Sequence, residues 1–492
     1  MKITRVLSIF LLVLLLLNTL VLPCFATEES ESFEASISEP ASDPSPSEEP
    51  LVLENIPSAL IETNVAVDFN IKATAAALIA VDTGTLAYGY ELDKQIYPAS
   101  LTKIMTCMLA LEYGNLDDVV TVSATALQNL SAAGSTAGLL EGEKISLRDL
   151  LYCIMLSSAN EGCNVIAEYV SGDIDSFLDL MNDYAAALGM KHTHFMNTHG
   201  LHDEQHYSTV RDLSILARWA WQNEDFRTYA TATSHTVPAT NMSDARTLHT
   251  TNYLISSQTI AKYYYSKASG IKTGFTTPAG ACLISTASNG EMEFMSVVVG
   301  CSEIENEDGS TTDERFTETK RLLEYGLDHF SYVQVLSDTK MADMPPVLYA
   351  QGRENVVVHP KENLYALLPD TCDPAQIMLK TSYDSETPLE APLEAGQRVG
   401  MVSAVYKGET LASCELVTLT AVERSTPKYV AKATGGVFSS FGDALRKLWF
   451  ITVPVLLILV AVIAVLILRA RDKRRAKRRA MRKRRPGSHS EE

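Results

Sequence analysis

The sequence predicts an α+β protein: an antiparallel sheet packed by helices, followed by a small all-β domain and a C-terminal transmembrane helix. Three observations carry this. Strand-like runs stand at both ends of a stretch whose apolar residues otherwise recur at helical spacing. After about Tyr332 that spacing fades into short β-rich runs broken by Pro, Gly and Asp turns. Leu448 to Leu468 is then a 21-residue run without a charge, and at about 1.5 Å per residue it spans a hydrocarbon core about 30 Å thick.

Taken in order, Met1 to Ala26 places Lys2 and Arg5 ahead of the apolar stretch Val6 to Leu22 and ends in Cys24-Phe25-Ala26, the pattern of a secretory signal cleaved after Ala26. An uncleaved anchor is the alternative, and Pro23 argues against lipid attachment at Cys24. Residues 27–55 are dominated by Glu, Ser and Pro and read as an acidic linker without a core. Residues 56–331 form the main folded unit. In it Ala75 to Val81 and Thr85 to Tyr90 read as strands around Asp82-Thr83-Gly84, then helices at Ser100 to Glu112, Leu147 to Leu156, Glu161 to Tyr169, Ile174 to Leu188 and Thr209 to Trp221. Strands return at Ala281 to Thr286 and Glu293 to Val299, before a helix near Arg315 to Leu327. The β domain, residues 332–424, has runs at Asn355 to His359, Val399 to Tyr406 and Cys414 to Leu419. Residues 425–447 lead in as a linker whose stretch Lys428 to Leu445 suits an interfacial helix, 448–468 span the membrane, and 469–492 form a basic tail.

Charge supports that topology. Between Arg469 and Arg485 there are 12 Lys or Arg against one acid, Asp472, which puts the tail on the cytoplasmic side and everything before the span outside. The whole chain still carries −19, so the exported part is strongly acidic, a poor surface for nucleic acid. Of eight cysteines, signal cleavage leaves seven, an odd number set mostly in apolar runs. They read as small buried hydrophobes, with Cys372 and Cys414 the pair most open to a bridge.

Three motifs follow one another: Ser100-Leu101-Thr102-Lys103, Ser158-Ala159-Asn160 and Lys272-Thr273-Gly274. Ser-x-x-Lys alone recurs at Ser269, Ser337 and Ser425. Ser100 differs because Tyr97-Pro98-Ala99 precedes it and Leu101, Ile104, Met105, Met108 and Leu111 follow at helical intervals, so a helix starts at the serine, where free N–H groups favour an oxyanion. Lys103 shares its face, and it accepts a proton only if burial or a second cation, Lys272 being the candidate, lowers its pKa. Ser158-x-Asn160 by itself is a common helix-start pattern.

The three motifs resemble those of the penicillin-binding protein and serine β-lactamase superfamily. Pro98 to Thr106, His199-Gly200-Leu201, Tyr207-Ser208-Thr209-x-Arg211-Asp212 and Gly270 to Gly274 resemble more closely the low-molecular-mass D-alanyl-D-alanine carboxypeptidases. The likeness runs over residues 60 to 425 and implies a transpeptidase/β-lactamase-like catalytic fold. By that resemblance Ser100 attacks the penultimate D-alanine of a peptidoglycan stem peptide and Lys103 takes its proton. Ser158 relays a proton while Asn160 positions Lys103 and the substrate amide. Lys272, Thr273 and Gly274 lie on an edge strand that binds the substrate carboxylate, and the backbone of Phe275 completes an oxyanion hole with that of Ser100. Arg315 resembles the arginine that holds the terminal carboxylate, with a surface salt bridge as its alternative. β-Lactams are implied as covalent inhibitors, and no cofactor is implied. His192, His194, His199, His202 and His206 are a tempting zinc cluster, yet they overlap family signatures that need no metal. Against a β-lactamase, no Glu-x-x-x-Asn stands between the second and third motifs in the manner of a class A deacylation glutamate. A DD-endopeptidase would use the same residues, and a non-catalytic β-lactam or peptidoglycan sensor would need a partner, since the tail after Leu468 is short.

Overall fold

The computed structural model describes residues 53, 60–62, 69–131, 134–385 and 388–482. The expected signal segment, nearly all of the acidic linker and the last ten residues of the tail lie outside the described residues.

The main sheet has six strands: β1 (Ile61–Glu62), β2 (Ala75–Ala80), β3 (Thr85–Tyr90), β4 (Ala268–Thr276), β5 (Gly280–Ser288) and β6 (Glu293–Cys301), in the spatial order β1-β3-β2-β6-β5-β4. All neighbours are antiparallel except the short parallel pair β1/β3. Residues of alternate parity point to opposite faces of a strand. In β2, Ala75, Ala77 and Ile79 enter one hydrophobic core, while Ala76, Leu78 and Ala80 enter a second. The sheet is thus covered on both sides, which explains why β2 reads as an unbroken apolar run and not as an alternation.

The first core packs α1 (Lys103–Tyr113), α2 (Leu147–Leu156), α3 (Asn160–Ser171), α4 (Ile174–Ala187), α5 (Val210–Gln222) and α6 (Glu224–Ala230). Helix α1 is buried over Lys103 to Ala110, as a helix at the centre of a bundle must be. Ser146, Asp173 and Thr209 cap α2, α4 and α5 by accepting from Asp149, Ser176 and Asp212 backbone N–H groups. The second core is closed by α7 (Glu314–His329), with Phe316, Leu322, Leu323 and Leu327 on Leu78, Phe294 and Val298. Two short hairpins, 119–121 with 144–146 and 234–237 with 246–249, join the helical side.

After α7 the chain turns into β7 (Phe330–Leu336), β8 (Val358–Pro360), β9 (Leu364–Pro369), β10 (Met378–Tyr383), β11 (Arg398–Tyr406) and β12 (Glu409–Thr418). A four-stranded sheet β8-β12-β11-β10 and the pair β7/β9 enclose small cores of their own around Val358, Val402, Leu416, Ala366 and Leu368. The region is all-β apart from one short 3₁₀ turn.

Helix α8 (Thr426–Arg482) is continuous, so the separate interfacial helix expected before the span is not a distinct element. Its segment Thr452–Lys477 is long and apolar enough to cross a membrane, and its described side chains are almost all exposed. All seven described cysteines are free and buried, Cys372 and Cys414 included, so the bridge considered between those two does not form.

Candidate active site

The three motifs converge on one cleft of about 470 Å³, in which Ser100, Ser158, Asn160, Thr273, Gly274 and Arg315 share the walls. A larger cleft, about 550 Å³, lies beside Asp93, Arg211 and Asp212. It offers no comparable nucleophile, and its Arg211 is already paired with Asp93 and Glu62.

Ser100 does not begin the α-helix. Residues Ala99–Thr102 form a 3₁₀ turn and α1 begins at Lys103. Ala99, at the start of that turn, has a left-handed φ of +49°. Lys103 remains on the same face, its Nζ 2.9 Å from the Ser100 Oγ. It also donates to the Asn160 Oδ1 at 2.8 Å and to the His199 carbonyl at 2.7 Å. Both of these oxygens can only accept. In the neutral amine they take its two hydrogens and leave the lone pair facing the serine hydroxyl. Lys103 is fully buried, and burial lowers its pKa to about 8. Of the two causes the sequence left open, burial or a second cation at Lys272, it is burial that lowers it. The repulsion between the two amines shows at Lys272, which is pushed well down by its own burial and then by Lys103.

Ser158 also has a left-handed backbone, φ +58°. It caps nothing: Ala159 is the N-cap residue of α3, which has no side-chain cap. The pattern does stand at a helix start, since α3 begins at Asn160, but the Ser158 hydroxyl makes no cap and instead accepts from the Lys272 Nζ at 3.1 Å, a polar contact between the second and third motifs.

Lys272, Thr273 and Gly274 lie on β4, at the edge of the sheet. Lys272 is 1% exposed and also donates to the Thr273 carbonyl. The Thr273 hydroxyl is 2.6 Å from that of Thr251. Gly274 passes close to the Ala99–Thr102 turn, where a Cβ would lie 3.1 Å from the Ser100 backbone nitrogen and 3.2 Å from the Ala99 Cβ. The next backbone N–H, that of Phe275, thus lies in the strand beside Ser100, while the Phe275 side chain is exposed. Arg315 donates to the Gly274 carbonyl at 3.1 Å and is held by Asp313, the cap of α7, at 2.7 Å. It is therefore a wall of the cleft and an ion-pair partner at once.

Sequence reasoning assigned no role to the His199 carbonyl, to Gly200 or to Thr251. Gly200 has φ +89°, and a Cβ there would overlap the Ala99 carbonyl oxygen. The His199-Gly200-Leu201 signature signalled the first two, whereas Thr250-Thr251-Asn252 carries no readable signal. The histidines do not gather around a common point. Among the described residues no group of three or more His, Cys, Asp or Glu side chains is placed to hold a metal ion. Burial lowers the pKa of His199 to about 3 and of His206 to about 4, which keeps both neutral.

A buried amine facing a serine, with a second buried lysine on an edge strand, defines a serine hydrolase working by acyl transfer. The family described as D-alanyl-D-alanine carboxypeptidase matches residues 61–303, and the penicillin-binding protein 5 C-terminal domain matches residues 330–424. The chain is 30% identical to the D-alanyl-D-alanine carboxypeptidase DacD of Escherichia coli over 382 residues, 76% of this chain and 90% of that one. It is 28% identical to DacF of Bacillus subtilis over 385 residues, 75% and 91% of the two chains. The crystal structure of penicillin-binding protein 5 from Haemophilus influenzae superposes with a TM-score of 0.59 at 26% identity, covering 73% of this chain and all of that one. The chain belongs to the D-alanyl-D-alanine carboxypeptidase family, the serine peptidases among the low-molecular-mass penicillin-binding proteins.

Proposed function

We propose that this chain is a membrane-anchored D-Ala-D-Ala carboxypeptidase that trims the terminal D-alanine from peptidoglycan stem peptides through an acyl-enzyme on Ser100. The observation that carries the reading is the Lys103 amine, buried and 2.9 Å from the Ser100 Oγ with its other two directions taken by carbonyl oxygens. At pH 7 a lysine of pKa about 8 is neutral in roughly a tenth of molecules, enough to accept the serine proton as Oγ attacks the penultimate carbonyl. The oxyanion is met by the N–H groups of Ser100 and Phe275. Collapse breaks the peptide bond, and the leaving amine takes a proton relayed from Lys103 through Ser158. Water then cleaves the ester and returns the enzyme.

Lys272, Thr273 and Arg315 bind the substrate carboxylate, and that anion favours the charged form of Lys272, which burial disfavours. A β-lactam presents an amide and a carboxylate in the same relation and acylates Ser100. Helix α8 anchors the chain, with the catalytic unit outside the membrane and the basic tail in the cytoplasm.

The test is release of free D-alanine from diacetyl-Lys-D-Ala-D-Ala by the full chain in detergent, beside Ser100→Ala and a penicillin-treated sample. Sustained release abolished by both treatments is expected. Penicillin labelling of Ser100 without turnover would replace this reading by an endopeptidase or a sensor.

A further inference from the structure

His206 lies outside the groups that touch substrate in this reading, yet it is buried to 1% exposure beside the nucleophile turn. The Met196 backbone N–H donates to its Nδ1 at 3.0 Å. A neutral imidazole with an accepting Nδ1 carries its proton on Nε2. That Nε2–H donates to the Thr102 Oγ1, 2.8 Å away, and the Thr102 hydroxyl donates in turn to the Ala99 carbonyl at 2.8 Å. Each link has a single direction, because the first donor is a backbone amide and the last acceptor a carbonyl.

The chain of bonds ends on the residue with the unusual backbone. Ala99 sits in the left-handed region, which disfavours an L residue, and it immediately precedes Ser100. Its carbonyl is backed by Gly200 on one side and bonded by Thr102 on the other. The loop that brings His206 is itself fixed: His194 and Tyr207 exchange backbone bonds at 2.9 and 3.1 Å, and Ile96 and Ser208 at 2.9 Å each way. Asp203, His194, His199, His202 and Lys103 are titratable groups near the ring; His194, His202 and Lys103 act with burial to keep it neutral, and only Asp203 favours the charged form.

We propose that His206 is a positioning residue for the nucleophile: through Thr102 it holds Ala99 in the left-handed conformation and so keeps the Ser100 hydroxyl in line with Lys103. The inference rests on Ser100 being the nucleophile. It assigns to one member of the histidine-rich segment an orienting function in place of metal binding.

The test compares His206→Gln, His206→Asn, Thr102→Ser and Thr102→Val with the parent, in the full chain in detergent. A glutamine nitrogen reaches the Nε2 position and can still donate to Thr102; an asparagine reproduces only the Nδ1 side. The expected result is a kcat for D-alanine release, and a penicillin acylation rate, reduced roughly 10- to 100-fold in His206→Asn and Thr102→Val, with peptide KM within about twofold. Recovery to within a few-fold is expected in His206→Gln and Thr102→Ser. If asparagine and glutamine fall together, or if Thr102→Val acylates at the parent rate, the proposal is overturned. Should the His206 variants fail to fold, the Thr102 pair decides the matter alone by the same criterion. Ser100→Ala is run alongside: D-alanine release surviving in it would remove the nucleophile reading itself, which separates that failure from a failure of the positioning role.

Discussion

Lys103 and Ser100 stand 2.9 Å apart, Nζ to Oγ, with the lysine fully buried and its amine held by two carbonyl acceptors. Only the neutral amine can take the serine proton, and burial sets its pKa at about 8. Raising the pH removes the blocking proton, so the acylation rate should climb about tenfold per unit below pH 8 and level off above it. Penicillin acylation followed from pH 5.5 to 9.5 measures this. A rise that continues through pH 10 would mean an ordinary lysine and remove the case for burial.

Gly200 makes a sharper structural prediction. With φ +89° and no room for a Cβ against the Ala99 carbonyl, Gly200→Ala must push the nucleophile turn away from the His199-Gly200 loop. The strain should cost about 1–3 kcal/mol of stability. Acylation should fall by more, roughly 100-fold, because the displaced groups are those that orient Ser100 and Lys103. Denaturant unfolding and penicillin labelling of the same sample separate the two effects.

How much of this was legible beforehand differs by type of information. Order, residue type and spacing placed Ser100, Lys103, Ser158, Asn160 and Lys272 on one list, and their side chains meet at one cleft; the strand that carries Lys272 was expected from the family resemblance and not from a periodic pattern. Conformation was less legible. The helical repeat after Ser100 runs back through Leu101, and side-chain spacing over four residues does not distinguish a 3₁₀ turn at Ala99–Thr102 from the first turn of an α-helix, so the expected helix starts three residues before Lys103. Strands of three or four residues, such as 119–121 and 234–237, are too short to show an alternation. Partners far apart in sequence, such as Thr251 to Thr273 or Lys103 to the His199 carbonyl, exist only once the chain is folded.

The buried neutral histidines should shape the acid stability of the fold. In the unfolded chain they titrate near 6.5, whereas in the fold His206 titrates near 4 and His199 near 3. Between those values the unfolded state binds more protons, so stability falls as the pH drops below about 6.5 and the loss continues to about 3–4. Each histidine should contribute on the order of 2–3 kcal/mol to the loss between pH 7 and pH 4.5. Denaturant unfolding at the two pH values should therefore show a smaller loss in His206→Gln than in the parent, by about 2 kcal/mol. Equal losses would place the acid sensitivity in other groups.

Arg315 offers a test of the carboxylate end of the cleft. It is held by Asp313 and donates to the Gly274 carbonyl, so its guanidinium is already oriented before substrate arrives. A planar guanidinium can meet a carboxylate with two parallel bonds, which a lysine cannot. Losing a charge-assisted contact of this kind is worth about 1.5–3 kcal/mol. Arg315→Ala should therefore lower kcat/KM for a peptide ending in free D-alanine roughly 10- to 100-fold. The discriminating substrate is the same peptide with its terminal carboxylate amidated. The parent should turn over the amide poorly, whereas Arg315→Ala should treat the two peptides nearly alike, since the group that told them apart is gone. If the variant keeps the full preference for the free carboxylate, recognition belongs to Lys272 and Thr273, and Arg315 serves only to brace β4 against α7 through Gly274.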